Sequence, residues 1–138
     1  MTRAEREAFL AEVHIGVLAI NETSMGPSTA PIWYLYEPGG KIECSISGSS
    51  RKAQLLEVGS RVSLVAQRET IPSGYVSVEG VVTSIGDPVT DEFIERLYRR
   101  YLDEDEVQSR LAARDGAGGS VILRVQPENW RTTDYSKR

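Results

Sequence analysis

Six contiguous residues, Ser47-Gly48-Ser49-Ser50-Arg51-Lys52, bring together the groups best suited to hold an anion. They follow an alternating apolar run and precede a short amphipathic one, where a strand gives way to a helix. Unpaired N–H groups and the helix dipole favour negative charge at such a junction, and Gly48 lets backbone come close to a ligand. Ser49 and Ser50 add hydroxyl donors, and Arg51 and Lys52 add charge that pairs well with phosphate. The same residues also fit an ordinary helix N-cap followed by two solvated basic side chains. They are not a Walker loop, because the G-x-x-x-x-G-K spacing is missing.

Pro31-Ile32-Trp33-Tyr34 is a second candidate. Proline leaves a ladder position unpaired, and flat side chains beside it suit stacking on a planar heterocycle. Packing in a core or between subunits is the alternative. Trp130-Arg131 pairs an aromatic anchor with a cation, useful in a cleft or at a subunit contact. Gln67-Arg68-Glu69 closes a strand, where loop residues often reach ligands, although a solvated turn fits equally.

Groups that could carry chemistry unaided are few. His14 is the only histidine and Cys44 the only cysteine, so no intrachain disulfide and no zinc site of the usual composition is expected. Cys44 reads as a small buried residue on a strand. A catalytic triad would rest wholly on His14, so no catalytic side chain is assigned. Burial in its strand is open to Glu79, but no second carboxylate is paired to it for acid–base work. A chain without its own nucleophile or metal can still be an enzyme when a cofactor supplies the reactive atoms.

The elements that must position these residues follow from periodicity. Thr2 to Glu12 is predicted as a helix, with Thr2 and Glu5 forming a capping box and Phe9 and Leu10 facing the core. Strands are expected over His14–Asn21, Ser28–Tyr36, Lys41–Ser47, Arg61–Gln67, Tyr75–Ile85 and Ser120–Gln126. Pro31 implies an edge position, a bulge or a ligand-facing gap, and Gly80 a bend or bulge. A short helix over Arg51–Val58 is expected to bury Leu55 and Leu56. Phe93, Ile94, Leu97, Tyr98 and Tyr101 mark an amphipathic helix over Thr90–Leu102, followed by a weaker one over Glu104–Arg114. Asp115 to Gly119 reads as a loop and Pro127 to Arg138 as a polar tail. Runs of strands joined by brief turns favour an antiparallel sheet closing into a barrel, an α+β, mainly β class.

Composition bounds the rest. The 138 residues fit one domain spanning 1–138, and 40% hydrophobic content suffices to fill a core. A net charge of −4 argues against nucleic acid as partner. The N-terminus lacks a signal-peptide pattern and no apolar run could span a bilayer, so a cytoplasmic protein without membrane partners is expected.

Taken together, FLAEVHIGVLAI, STAPIWYLY, SGSSRKAQLL, RVSLVAQRE, GYVSVEGVVTSIGD and PENWRTTDY resemble, in order, the pyridoxamine-phosphate-oxidase-like split-barrel superfamily. The likeness is greatest to small bacterial members that use FMN or the deazaflavin F420. It implies a six-stranded antiparallel split barrel with flanking helices, a homodimer with cofactor at the subunit interface. It also implies an F420- or FMN-dependent oxidoreductase passing hydride to a small conjugated or quinone-like substrate. By resemblance, Ser50, Arg51 and Lys52 would grip the cofactor phosphate. Pro31, Ile32 and Trp33 would lie along the ring, Gln67 and Arg68 would approach the ring or its polyol, and Trp130 and Arg131 would reach across from the partner. The tail NWRTTDYSKR departs from the arginine- and proline-containing signature of true pyridoxamine-phosphate oxidases, so vitamin B6 oxidation is not expected. Thirteen arginines against three lysines fit the actinobacteria-like genomes in which F420 is common. The alternative is a non-catalytic binding or storage protein for a flavin, F420 or a haem-type ligand.

Overall fold

A computed structural model describes residues 1–114 and 118–137. The first helix, α1 (Arg3–Ala11), starts at the capping box read from the sequence: Glu5 N–H donates to Thr2 Oγ1 and Thr2 N–H to Glu5 Oε1. Strands β1 (Gly16–Ile20), β2 (Ser28–Ile32) and β3 (Ile42–Ser47) follow, then the short helix α2 (Arg51–Leu55). Next come β4 (Arg61–Arg68), β5 (Gly74–Pro88), helices α3 (Asp91–Tyr101) and α4 (Glu104–Ala113), and β6 (Ser120–Asp134). All pairings are antiparallel, in the order β2-β1-β4-β5-β6-β3. The fold is a six-stranded split barrel with flanking helices.

Alternation decides which side of each strand is buried. Leu18, Ile20, Ile32, Cys44, Ile46, Val62, Leu64, Val76, Val78, Val82, Leu123 and Val125 point inward, and Phe9, Leu10, Tyr34 and Tyr36 join them in one core. This interior is filled. Among the described residues, the space lined by these side chains is about 10 Å³, about the minimum that admits one water. A ligand of any size must therefore bind outside the barrel. A smaller second core, Leu35, Phe93, Leu97 and Ile122, fixes α3 to the outer side of β6.

The sheet does not close along its length. β2 and β3 are the two edges, and they meet at the bridge between Leu35 and Glu43, whose N–H groups and carbonyls exchange bonds of 2.8 and 2.9 Å. Beyond it the seam opens.

Several elements differ from the sequence expectation. β1 begins at Gly16 rather than His14, whose ring stacks on Phe9 at 4.6 Å. β2 ends at Ile32, because Trp33 to Tyr36 must carry the chain across to β3. α2 stops at Leu55, and Leu55 is only half-buried. The largest difference is the tail: β6 continues to Asp134, pairing with β5 throughout. Pro127 is tolerated there because it sits at a register shift opposite Gly80. Glu79 is not buried. It lies on the outer face, held by Arg61 Nε at 2.6 Å and by Asn129 at 2.9 Å. Residues 115–117 of the expected loop lie outside the described residues. No helix among the described residues is long and apolar enough to cross a membrane.

Candidate functional site

Ser50 is the N-cap of α2: its hydroxyl donates to the Ser47 carbonyl at 2.7 Å and accepts from Ala53 N–H at 3.2 Å. This capping places Arg51 and Lys52 at the open end of the seam, just beyond β3. With five residues, α2 aligns few peptide dipoles, so attraction for an anion there must come from side chains. Gly48 does not offer its N–H outward. It donates to the Gly119 carbonyl at 3.0 Å, and a Cβ on Gly48 would meet the same oxygen at 3.0 Å.

Arg51 has a partner that the sequence did not announce. Its Nε and NH2 both donate to Glu22 Oε1, at 3.0 and 2.6 Å. The Glu22 side chain is 9% exposed while that of Arg51 is 62% exposed. Glu22 follows β1, so this pair ties the loop entering β2 to the start of α2. Much of the guanidinium still faces solvent. Lys52 is half-buried and has no carboxylate partner among the described residues.

Pro31 is exposed on the edge strand, opposite Val17. That is where proline costs the ladder least. Ile32 points into the core, so only its backbone is open to a ligand along the edge. Trp33 already has a stacking partner. Its ring lies 4.8 Å from Tyr101 at an interplanar angle of 13°. Tyr101 in turn accepts from Tyr34 N–H at 3.1 Å and donates to the His14 carbonyl at 2.7 Å. One face of the Trp33 indole is thus committed to α3.

Gln67 and Arg68 end β4 and diverge. Gln67 is exposed on the outer face opposite Tyr75. Arg68 turns towards the barrel end, donating to Pro72 O at 3.0 Å and pairing with Asp134 at 3.3 Å, over the Phe9 ring. Arg131 is exposed opposite Ser77. Trp130 packs inward against Tyr36, with the Arg6 guanidinium 4.8 Å above its ring.

These placements form two groups. Ser50, Arg51, Lys52, Pro31, Ile32 and Trp33 border the seam. Trp130 and Arg131 stand far along β6 from it: Ser47 pairs with Ser120, and Trp130 is ten positions later, roughly 30 Å of strand path at ~3.3 Å per residue. Within one chain that path separates Trp130 and Arg131 from Arg51 and Lys52, while Trp130 meets Tyr36, three positions after Trp33.

Two features escaped the sequence reading. Glu22 sits in a polar loop with no spacing signal. A cleft of about 700 Å³ opens where α3 and α4 face β3 and the start of β6. Its arginines, Arg110 and Arg114, fall in the weaker helix expected over Glu104–Arg114, and the sequence reading gave them no role. Cys44 lies inside the core, where burial pushes its thiol up to about 12.

The description of the family model that matches residues 2–134 is pyridoxamine 5'-phosphate oxidase. No curated protein matches the chain. Among solved structures, a conserved hypothetical protein from Mycobacterium tuberculosis is 25% identical with a TM-score of 0.74, over 99% of this chain and 87% of that one. An F420 reductase is 21% identical with a TM-score of 0.73, over 91% and 94%. The FAD binding protein from Mycobacterium smegmatis is 13% identical with a TM-score of 0.62, over 96% and 98%.

Proposed function

Because the chain belongs to the pyridoxamine 5'-phosphate oxidase family, we propose that it is a homodimeric oxidoreductase that binds F420 or FMN at the seam. Hydride would pass between the cofactor and a small conjugated or quinone-like substrate. The observation that carries this reading is the pairing of two cations with an open strand edge beside a filled barrel. Arg51 and Lys52 stand at one end of the seam, and the exposed β2 edge leads away from them. The bound cofactor supplies the redox chemistry, and the chain's residues do the rest. Arg51, steered by Glu22, and Lys52 hold phosphate, while the backbone of Pro31 and Ile32 lines the ring. F420 is placed ahead of FMN on the arginine-rich composition.

Dimerisation completes the site in this reading. The outer face of β1, β2 and β4 carries Val17, Ala19, Pro31, Ser63 and Val65, small and partly exposed side chains flanked by exposed Val13 and Ile15. A flat apolar sheet face of this kind suits a second copy of the chain. That copy would bring Trp130 and Arg131 to the cradle of Arg51 and Lys52.

Parallel titrations with F420 and FMN test the cradle. Lys52→Ala is the cleaner variant, since Lys52 has no carboxylate partner among the described residues to orphan. It should weaken binding by about tenfold or more, from the ~1.5–3 kcal/mol of a charged hydrogen bond. Unchanged affinity in both Lys52→Ala and Arg51→Ala refutes the cradle. A non-catalytic storage role is the second reading, and it wins if quinones and enones oxidise bound reduced cofactor no faster than free cofactor.

A further inference from the structure

We propose that the cavity beneath α1, at the end of the barrel, binds a small zwitterion, a free α-amino acid with a short side chain. The cavity lies between α1, the turn that follows Tyr36 and the bulged stretch of β6 at Pro127. Its volume is about 190 Å³. A cavity of ~150 Å³ is enough for benzene, and alanine has as many heavy atoms.

Charge of both signs lines this space without a strong partner. The half-buried Arg6 guanidinium stands 4.8 Å over the Trp130 ring. Its Nε is closed to solvent and has no hydrogen-bond partner among the described residues. A cation withdrawn from water without a counter-charge is costly, and such a group calls for a partner. Glu7 is also withdrawn from water, with its side chain 18% exposed. Its ion pair, with Arg3, spans 3.9 Å, and the Arg3 side chain is 80% exposed. A long, solvated pair of that kind is weak. Arg6 and Glu7 do not satisfy each other, because adjacent positions on a helix do not face one another. Both nevertheless line the cavity.

A zwitterion answers both needs at once. Its carboxylate pairs with the Arg6 guanidinium and draws in the mobile Arg3, while its ammonium donates to Glu7. A simple anion would meet the Glu7 charge, and a simple cation would meet the guanidiniums. Glu128, the other acid of the wall, is already held by Arg61. Burial first, and then the Glu7 charge, push the Tyr36 phenol above its ordinary value, so that hydroxyl stays neutral and leaves the balance unchanged. The binding groups lie on α1, away from the seam. Trp130 enters as the surface beneath Arg6, and the assignment does not depend on the cofactor reading.

Equilibrium dialysis of the full chain against L-alanine, propionate and ethylamine tests the assignment, since each of the last two lacks one charged group of the first. L-alanine should bind saturably and at least about tenfold tighter than either, the factor that one charged hydrogen bond supplies. Arg6→Gln should bring L-alanine down to the level of ethylamine without weakening ethylamine itself. Arg6→Lys, which keeps the cation over the indole, should recover part of the preference. Glu7→Gln should bring L-alanine down to the level of propionate without weakening propionate. These ligand-selective losses are changes that a merely structural Arg6 or Glu7 would not produce. Lys52→Ala should alter none of the three. Absence of saturable L-alanine binding, equal affinity for propionate or ethylamine, or sensitivity to Lys52 in place of Arg6 and Glu7 would each overturn the proposal.

Discussion

Replacing Gly80 with alanine should cost this protein about 2–4 kcal/mol, although the change adds a single methyl group. Gly80 lies on the inner side of β5 at a register shift against β6. A Cβ built there would stand 2.2 Å from the Gln126 carbonyl oxygen, 2.9 Å from its carbon and 3.0 Å from Val125 Cγ1. Normal carbon–oxygen contacts are about 1 Å longer than the first of these, and the obstructing atoms are mostly backbone. Relief requires β6 to move away from β5 around Pro127, which strains a packed core by ~1–3 kcal/mol. It also stretches at least one ladder bond worth ~0.5–1.5 kcal/mol. At ~2.1 cal/mol/K per residue, unfolding entropy for 138 residues converts 1 kcal/mol into about 3.5 °C, so Tm should fall by roughly 7–14 °C. Gly26, with open space around it, is the control: Gly26→Ala should stay within about 0.5 kcal/mol. Urea titrations of both variants measure the difference directly. A Gly80→Ala protein as stable as Gly26→Ala would refute the close approach of β5 and β6 on which the bulge rests.

Other expectations follow from single contacts. Tyr34→Phe deletes the hydroxyl that donates to the Leu10 carbonyl at 2.7 Å in the core. It should lose ~1–3 kcal/mol in urea titration, since the buried carbonyl is left without that donor. The Arg61 guanidinium first, and then the Asn129 amide, hold the Glu79 carboxyl at about 2 against an ordinary 4.5. A depressed carboxylate stabilises fully above its unfolded pKa, and that contribution fades as pH falls from 4.5 towards 2. Stability in low salt should therefore drop across that window, and less steeply in Glu79→Gln. Added salt should shrink the difference, because the pair is exposed. The Cys44 thiol, raised to about 12 by burial, should resist a thiol-labelling reagent at neutral pH in the native protein and react fully in denaturant. Native-state labelling at the rate of a free thiol would contradict its place in the core.

Much of this architecture was fixed by short-range chemistry and is legible in the residues alone. Thr2 and Glu5 start α1, Thr90 caps α3 by accepting from Phe93 N–H, and alternation along β3 to β5 assigns one face of each strand to the core. Pro31 on an edge and Gly80 at a bulge were likewise set by what those residues cannot do. The tail was misread because Pro127 and polar neighbours look like the end of a strand. Only the register shift opposite Gly80 lets the ladder continue to Asp134.

The candidate site divides along the same line. That Arg51 and Lys52 follow a capping serine is local, and the sequence carried it. That Arg51 is held by Glu22 from 29 positions away, that Trp33 is stacked on Tyr101, and that Arg68 is turned to Asp134 from 66 positions away are decided by where the sheet closes. The cleft beside Arg110 and Arg114 arises in the same way, from the angle at which two helices meet a strand. Periodicity and caps act within a few residues and so are written in the order of the chain. Partner choice for a long charged or aromatic side chain depends on distances that exist only after the barrel has formed.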